Sequence, residues 1–170
     1  MSETVVNSIR VLLIDDHRSV LWGLEKLIES QKPKMCVVGK FTSFAEASNE
    51  LEKLDPDIIL LDLDLGTEHG LDILPRLIGI TQAKILILTG SRDPALHDKA
   101  VIAGAKGILE KENSAETILT AIERVHAGQL WLDQARMGRI ILELSRKKSA
   151  EEKNPERIKI ESLTPRERNI

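Results

Sequence analysis

The chain has 170 residues, 42% of them hydrophobic and 30% charged, with a net charge of -3. That suits one domain of ordinary size with length to spare, and it carries no bulk charge that selects nucleic acid or a membrane surface. A single cysteine, Cys36, excludes a disulfide framework and makes the cytoplasm the expected compartment. Residues 1–8 lack a signal-peptide layout, and no apolar run approaches the roughly 18 residues of a membrane span.

Ile9 to Ile14 reads as a strand that ends in Asp15-Asp16. From His17 to Gln31, the positions Val20, Leu21, Leu24, Leu27 and Ile28 form one helical stripe, closed by Pro33. A short strand is expected at Met35 to Gly39. Ser43 and Glu46 have capping-box spacing for a helix through about Leu54. After the Asp55-Pro56 turn, Ile58-Ile59-Leu60-Leu61 runs into Asp62. Four consecutive large apolar residues read as a strand buried on both faces, of the kind found in parallel sheets. Leu63 to His69 reads as a loop and Gly70 to Leu77 as a helix, with Pro75 about one turn in. Ala83 to Leu88 is a fourth strand, leading to Thr89-Gly90. Asp93-Pro94 starts a helix that ends near Ala103, before Gly104. Gly107 to Glu110 is a fifth strand that ends at Lys111. Asn113 and Glu116 have capping spacing for a helix to about Ala127.

This alternation gives (βα)5, a doubly wound, flavodoxin-like or CheY-like parallel sheet of five strands covered on both faces. Residues 8–128 are assigned to that domain. Beyond it, 129–161 reads as a linker: a helix over Gln134 to Arg146, then a charge-dense stretch from Lys147 to Glu161. From Glu143 onward there are eight Lys/Arg and six Asp/Glu, so the tail is +2 and the rest -5. At Leu163-Thr164-Pro165-Arg166-Glu167 a helix start is announced, with an N-cap, a proline at the first position and a glutamate at the third.

Four strands deliver Asp15-Asp16, Asp62, Thr89 and Lys111 to one edge of the sheet, the edge where α/β folds place their ligands. Two carboxylates about 4 Å apart repel by roughly 4 kcal/mol at an effective dielectric of about 20, so such a cluster favours a cation. An all-oxygen, highly charged site suits Mg²⁺. An aspartate beside a metal and a lysine can act as a nucleophile toward phosphorus, with Thr89 and Lys111 on the phosphoryl oxygens. Ordinary readings stand beside this one: loop acids, a strand-end hydroxyl and a solvated lysine. His17 reads as a helix-start residue, while His69, His97 and His126 show no metal spacing.

Taken together, these residues resemble the receiver domain of two-component response regulators. The tail, from Ala127-Gly128-Gln129-Leu130-Trp131-Leu132 to Leu163-Thr164-Pro165-Arg166-Glu167, is similar to the NarL/FixJ group, whose receivers precede a LuxR-type helix-turn-helix domain. The resemblance implies Asp62 as the phosphoacceptor. It implies Mg²⁺ held by Asp15, Asp16, Asp62 and the backbone carbonyl of Asp64, and a sensor histidine kinase as donor. It further implies a homodimer linked to phosphorylation, and a signalling protein rather than a turnover enzyme.

Residues 162–170 would then open a truncated DNA-binding domain. DNA would be read only through a missing C-terminal part, and this chain is expected not to bind it specifically. Some positions depart from the family pattern. Ile108 stands where an aromatic relay is usual, Leu65-Gly66-Thr67 replaces the usual Pro-Gly loop, and Asp64 is acidic. Two alternatives stay open. Asp62-Leu63-Asp64-Leu65-Gly66-Thr67 is close to the loop of haloacid-dehalogenase-type phosphatases, and a pseudo-receiver would bind partners without phosphate.

Overall fold

The computed structural model describes residues 7–153. They fall into two compact units that divide between Leu132 and Asp133. In the first unit, β1 (Ile9–Ile14), β2 (Met35–Phe41), β3 (Ile58–Leu61), β6 (Lys84–Thr89) and β7 (Gly107–Glu110) form one parallel sheet in the order β2-β1-β3-β6-β7. That order reverses between β1 and β3, which opens a crevice at their carboxyl ends. The (βα)5 doubly wound architecture is the one the alternation of apolar runs implies.

The helices are α1 (Arg18–Glu29), α2 (Phe44–Leu54), α3 (Gly70–Ile80), α4 (Pro94–Ile102) and α5 (Ala115–His126). Strand side chains alternate between two helical layers, as a pleat of period two requires. Val11, Leu13, Ile58, Leu60, Leu86 and Leu88 pack with Leu24 and Ile28 of α1 and with Ile118 and Ile122 of α5. Leu12, Ile14, Ile59, Leu61, Ile85 and Ile87 pack with Phe44 and Leu51 of α2, Ile73 and Leu77 of α3, and Ala100 of α4. Both faces of β3 are therefore core, which is why it is an unbroken apolar run.

Several local expectations change. The segment expected to be a loop from Leu63 to His69 contains a two-residue antiparallel ladder, β4 (Asp64–Leu65) with β5 (Glu68–His69). Helix α3 runs three residues beyond Leu77 and contains Pro75. The proline loses one backbone bond, but Ile73, Leu74 and Leu77 are fully buried and hold the helix against the sheet. The cap of α5 is Ser114, whose hydroxyl accepts from Thr117 N at 3.2 Å, while Asn113 Oδ1 accepts from Glu110 N at 2.8 Å. Beyond residue 128 the chain still belongs to the sheet: Trp131 N donates to Lys106 O at 2.9 Å, and Ile108 N to Trp131 O at 3.2 Å.

In the second unit, helix α6 (Gln134–Glu152) is capped by Asp133, whose Oδ1 accepts from Arg136 N at 2.7 Å. It continues six residues past Arg146, through part of the stretch expected to be an unstructured linker. Lys and Glu are good helix formers, and Glu143 pairs with Lys147 one turn on at 3.8 Å. The segment Leu163-Thr164-Pro165-Arg166-Glu167 lies outside the described residues. No helix among the described residues is long and apolar enough to cross a membrane.

Candidate functional site

The sheet's hydrogen-bond ladder continues for one residue past the strands and fixes the backbone beneath each polar side chain. Asp15 N donates to Phe41 O at 3.1 Å, Asp62 N to Ile14 O at 2.9 Å and Lys111 N to Thr89 O at 2.9 Å. Asp15, Asp62 and Thr89 are buried, at 3%, 2% and 2% exposure, although an acid or hydroxyl at a strand end is usually wet. They line or border a cleft of about 510 Å³ whose walls include His17, Asp62, Asp64, His69, Thr89 and Lys111.

Lys111 Nζ lies 2.9 Å from Asp15 Oδ2 and 3.0 Å from Asp62 Oδ2, joining two buried carboxylates through one cation. Burial works against the lysine's charge, but its close contacts with the carboxylates of Asp15 and Asp62 outweigh it and hold its pKa above the ordinary value. Burial also raises the Asp62 pKa, against the opposing pull of the Asp64 amide and Lys111. Asp62 Oδ1 accepts from Asp64 N at 3.2 Å, so the residue two positions on orients the carboxylate through its backbone. The Asp64 side chain is exposed, and its Oδ1 accepts from Gly66 N at 3.2 Å. Thr89 Oγ1 accepts from Ser91 N at 3.0 Å and still has its own proton to donate. Gly90 leaves room: a Cβ there would meet only Lys111 Cδ, at 3.9 Å.

At the floor of the crevice, Gly70 is required by close approach. An added Cβ would lie 2.6 Å from Leu63 Cα and 3.0 Å from Asp62 O, so only glycine lets α3 start against the segment that carries Asp62. Ile108, at the place of the usual aromatic relay, is part of the core on the α2–α3–α4 side.

The sequence also missed two side chains. His17 is more than a helix-start residue. Its Nδ1 lies 2.9 Å from Asp15 Oδ1, 2.9 Å from Asp16 Oδ1 and 3.8 Å from Asp62 Oδ2. The hydrogen bond to Asp15 raises its pKa, opposed by Lys111 and supported by the charge of Asp16. His69 caps α3, with its Nδ1 accepting from Leu71 N at 3.3 Å, and it lines the cleft. Adjacency to Asp15-Asp16 was the one available signal for His17. For His69 the signal was its place just before Gly70 at the helix start.

The donor set fits a hard divalent cation. Ligand-type atoms of Asp15, Asp16, His17 and Asp62 all lie within 4.8 Å of one another. Asp15 Oδ2 and Asp16 Oδ1 are buried without a hydrogen bond, although each has a cationic or imidazole nitrogen nearby. Buried lone pairs of this kind are costly unless a cation or water uses them.

The chain is similar to known proteins over this domain and beyond it. The family model "Response regulator receiver domain" matches residues 11–123. The nitrate/nitrite response regulator NarL of Escherichia coli K12 is 32% identical over 161 residues, covering 94% of this chain and 72% of that protein. The DNA-binding transcriptional activator DevR/DosR of Mycobacterium tuberculosis is 31% identical over 164 residues, with 95% and 72% coverage. Among solved structures, a LuxR-family two-component response regulator from Aurantimonas sp. SI85-9A1 matches with a TM-score of 0.71 at 30% identity, over 82% of this chain and 99% of that one.

Proposed function

Because this chain belongs to the response regulator receiver family, and within it to the NarL/LuxR type, we propose that Asp62 accepts a phosphoryl group from a sensor histidine kinase. The observation that carries this reading is the buried Asp62 carboxylate, held by the Asp64 amide and Lys111 at the mouth of the 510 Å³ cleft. In transfer from a phosphohistidine, an Asp62 oxygen forms a bond to phosphorus as the P–N bond breaks, and the electron pair leaves on the imidazole nitrogen. Lys111 meets charge that develops on the phosphoryl oxygens, and the free Thr89 proton is the donor for another. Asp15, Asp16 and the Asp64 backbone carbonyl, with Asp62, would hold Mg²⁺, which when bound supplies charge neutralisation between acids and phosphate.

The acyl phosphate forms once per chain, so the role is that of a switch, with the sheet domain from residue 8 through residue 132 as receiver, 133–161 as linker and 162–170 as the opening of a DNA-binding domain. The phosphorylated receiver would pair with a second copy, and the kinase and a target promoter would be its partners. The test is labelling with acetyl phosphate and Mg²⁺, read by intact mass. One phosphoryl group per chain is expected, and none in Asp62→Ala with its fold retained by circular dichroism. Unchanged labelling of Asp62→Ala would place the acceptor elsewhere, and sustained turnover of a generic phosphate ester would make the chain a phosphatase.

A further inference from the structure

We propose that His17 is a nitrogen ligand of the acidic centre, so that the site binds the later first-row transition ions such as Co²⁺ and Ni²⁺ with a preference over Mg²⁺ that depends on this imidazole. The inference rests on the reading of Asp15, Asp16 and Asp62 as a cation site. It adds a donor of a different chemical type.

The contacts of Nδ1 carry it. This nitrogen lies 2.9 Å from two carboxylate oxygens, Asp15 Oδ1 and Asp16 Oδ1. An imidazole nitrogen has one hydrogen at most, and only the Asp15 contact has hydrogen-bond geometry. The Asp16 contact lacks it, and Asp16 Oδ1 is left buried without a partner. Lys111 Nζ lies 3.4 Å from the same Nδ1 but is held by Asp15 and Asp62, so it supplies neither acid's missing proton. No tautomer gives both Asp15 and Asp16 a proton from this nitrogen.

One cation among these atoms serves both carboxylates, because it takes the lone pair of Nδ1 and one from each acid, while Lys111 keeps Asp15 and Asp62 as its partners. Neighbouring ligands on an octahedral ion with bonds of about 2.1 Å stand about 3 Å apart, and both nitrogen–oxygen distances match that spacing. The local backbone supports the placement. His17 N donates to Asp15 Oδ1 at 2.8 Å, which folds the ring back over the acid two residues earlier. His17 is half exposed, so its ring can seat a metal without rearranging the core. Three carboxylates alone would suit Mg²⁺ or Mn²⁺, whereas an added imidazole moves selectivity toward Co²⁺ and Ni²⁺.

The test uses the full 170-residue chain, with Co²⁺ and Mg²⁺ each titrated alone by calorimetry and Mn²⁺ examined by pulsed EPR. Wild type is expected to show a directly coordinated ¹⁴N on Mn²⁺. His17→Ala and His17→Asn are expected to lose that coupling and to bind Co²⁺ at least tenfold more weakly, with Mg²⁺ affinity changed less than about threefold. Absent nitrogen coupling, or a Co²⁺-to-Mg²⁺ affinity ratio unchanged in His17→Ala, overturns the role of His17, and so does tighter binding of both ions. The underlying cation reading is judged separately. Asp16→Ala should weaken both ions, and a wild type that binds neither would sink that reading together with this one.

Discussion

Replacing Lys111 with methionine removes the cation between two buried acids while keeping the length of the side chain. Asp15 Oδ2 and Asp62 Oδ2 lie 2.9 and 3.0 Å from the same Nζ, so they are at most about 6 Å apart. At an effective dielectric of about 20, two unit charges at that distance repel by about 3 kcal/mol. The lost attraction to lysine is offset in large part by not burying its ammonium, which leaves the unscreened repulsion as the expected loss. With a urea slope of about 2 kcal/mol per molar, the midpoint should fall by about 1.5 M at pH 7 in EDTA.

The Lys111 pKa is raised on folding, so its stabilising contribution is complete below the ordinary lysine value and is lost as pH rises through the raised one. Neutral pH is therefore the right place to measure. Two controls separate electrostatics from packing. Millimolar Mg²⁺ should narrow the gap between variant and wild type, and adding Asp62→Asn to Lys111→Met should restore much of the loss. A Lys111→Met chain as stable as wild type in EDTA would refute the claim that the lysine holds the acids together.

Burial raises the Asp62 pKa, so in metal-free protein its carboxyl resonance should titrate above the ordinary value near 3.9, and a midpoint at or below that would contradict the assignment. A raised acid stabilises the fold when protonated and loses that contribution as pH rises through its folded pKa. Asp62→Asn should therefore raise the melting temperature at pH 7 without metal, and an unchanged or lowered one argues otherwise. Gly70→Ala forces its Cβ against Leu63 and should cost about 1–3 kcal/mol in thermal unfolding and slow labelling. Gly79→Ala, in the same helix with nothing within 4 Å, should stabilise by about 0.5–1 kcal/mol, and equal effects at both positions would discredit the clash. Ser114→Ala should cost about 1 kcal/mol as a lost cap, seen as a lower denaturation midpoint, whereas no change would return the cap to Asn113.

The apolar runs alone placed the sheet and the four polar corners at its carboxyl edge. A strand buried on both faces must be continuously apolar, and its exit from the core must turn polar. Ile58 to Leu61 followed by Asp62 therefore announces both the central strand and the acid at its end, and the same logic placed Asp15-Asp16, Thr89 and Lys111. Position along a strand is local information, so it survives in one dimension.

Whatever depends on several strands meeting emerges only in the folded chain. Leu65 and Glu68 become a ladder only because the segment folds back beside Asp62, and α3 continues through Pro75 because its buried face is held by the sheet. In α5 the cap fell to Ser114 once Asn113 was drawn back to the Glu110 amide. His17 was legible as a residue but not as a member of the site, because its neighbours come from β1, β3 and β7. Two of those are distant in sequence, and only the order β1-β3-β6-β7 brings Asp62 and Lys111 to within reach of its ring.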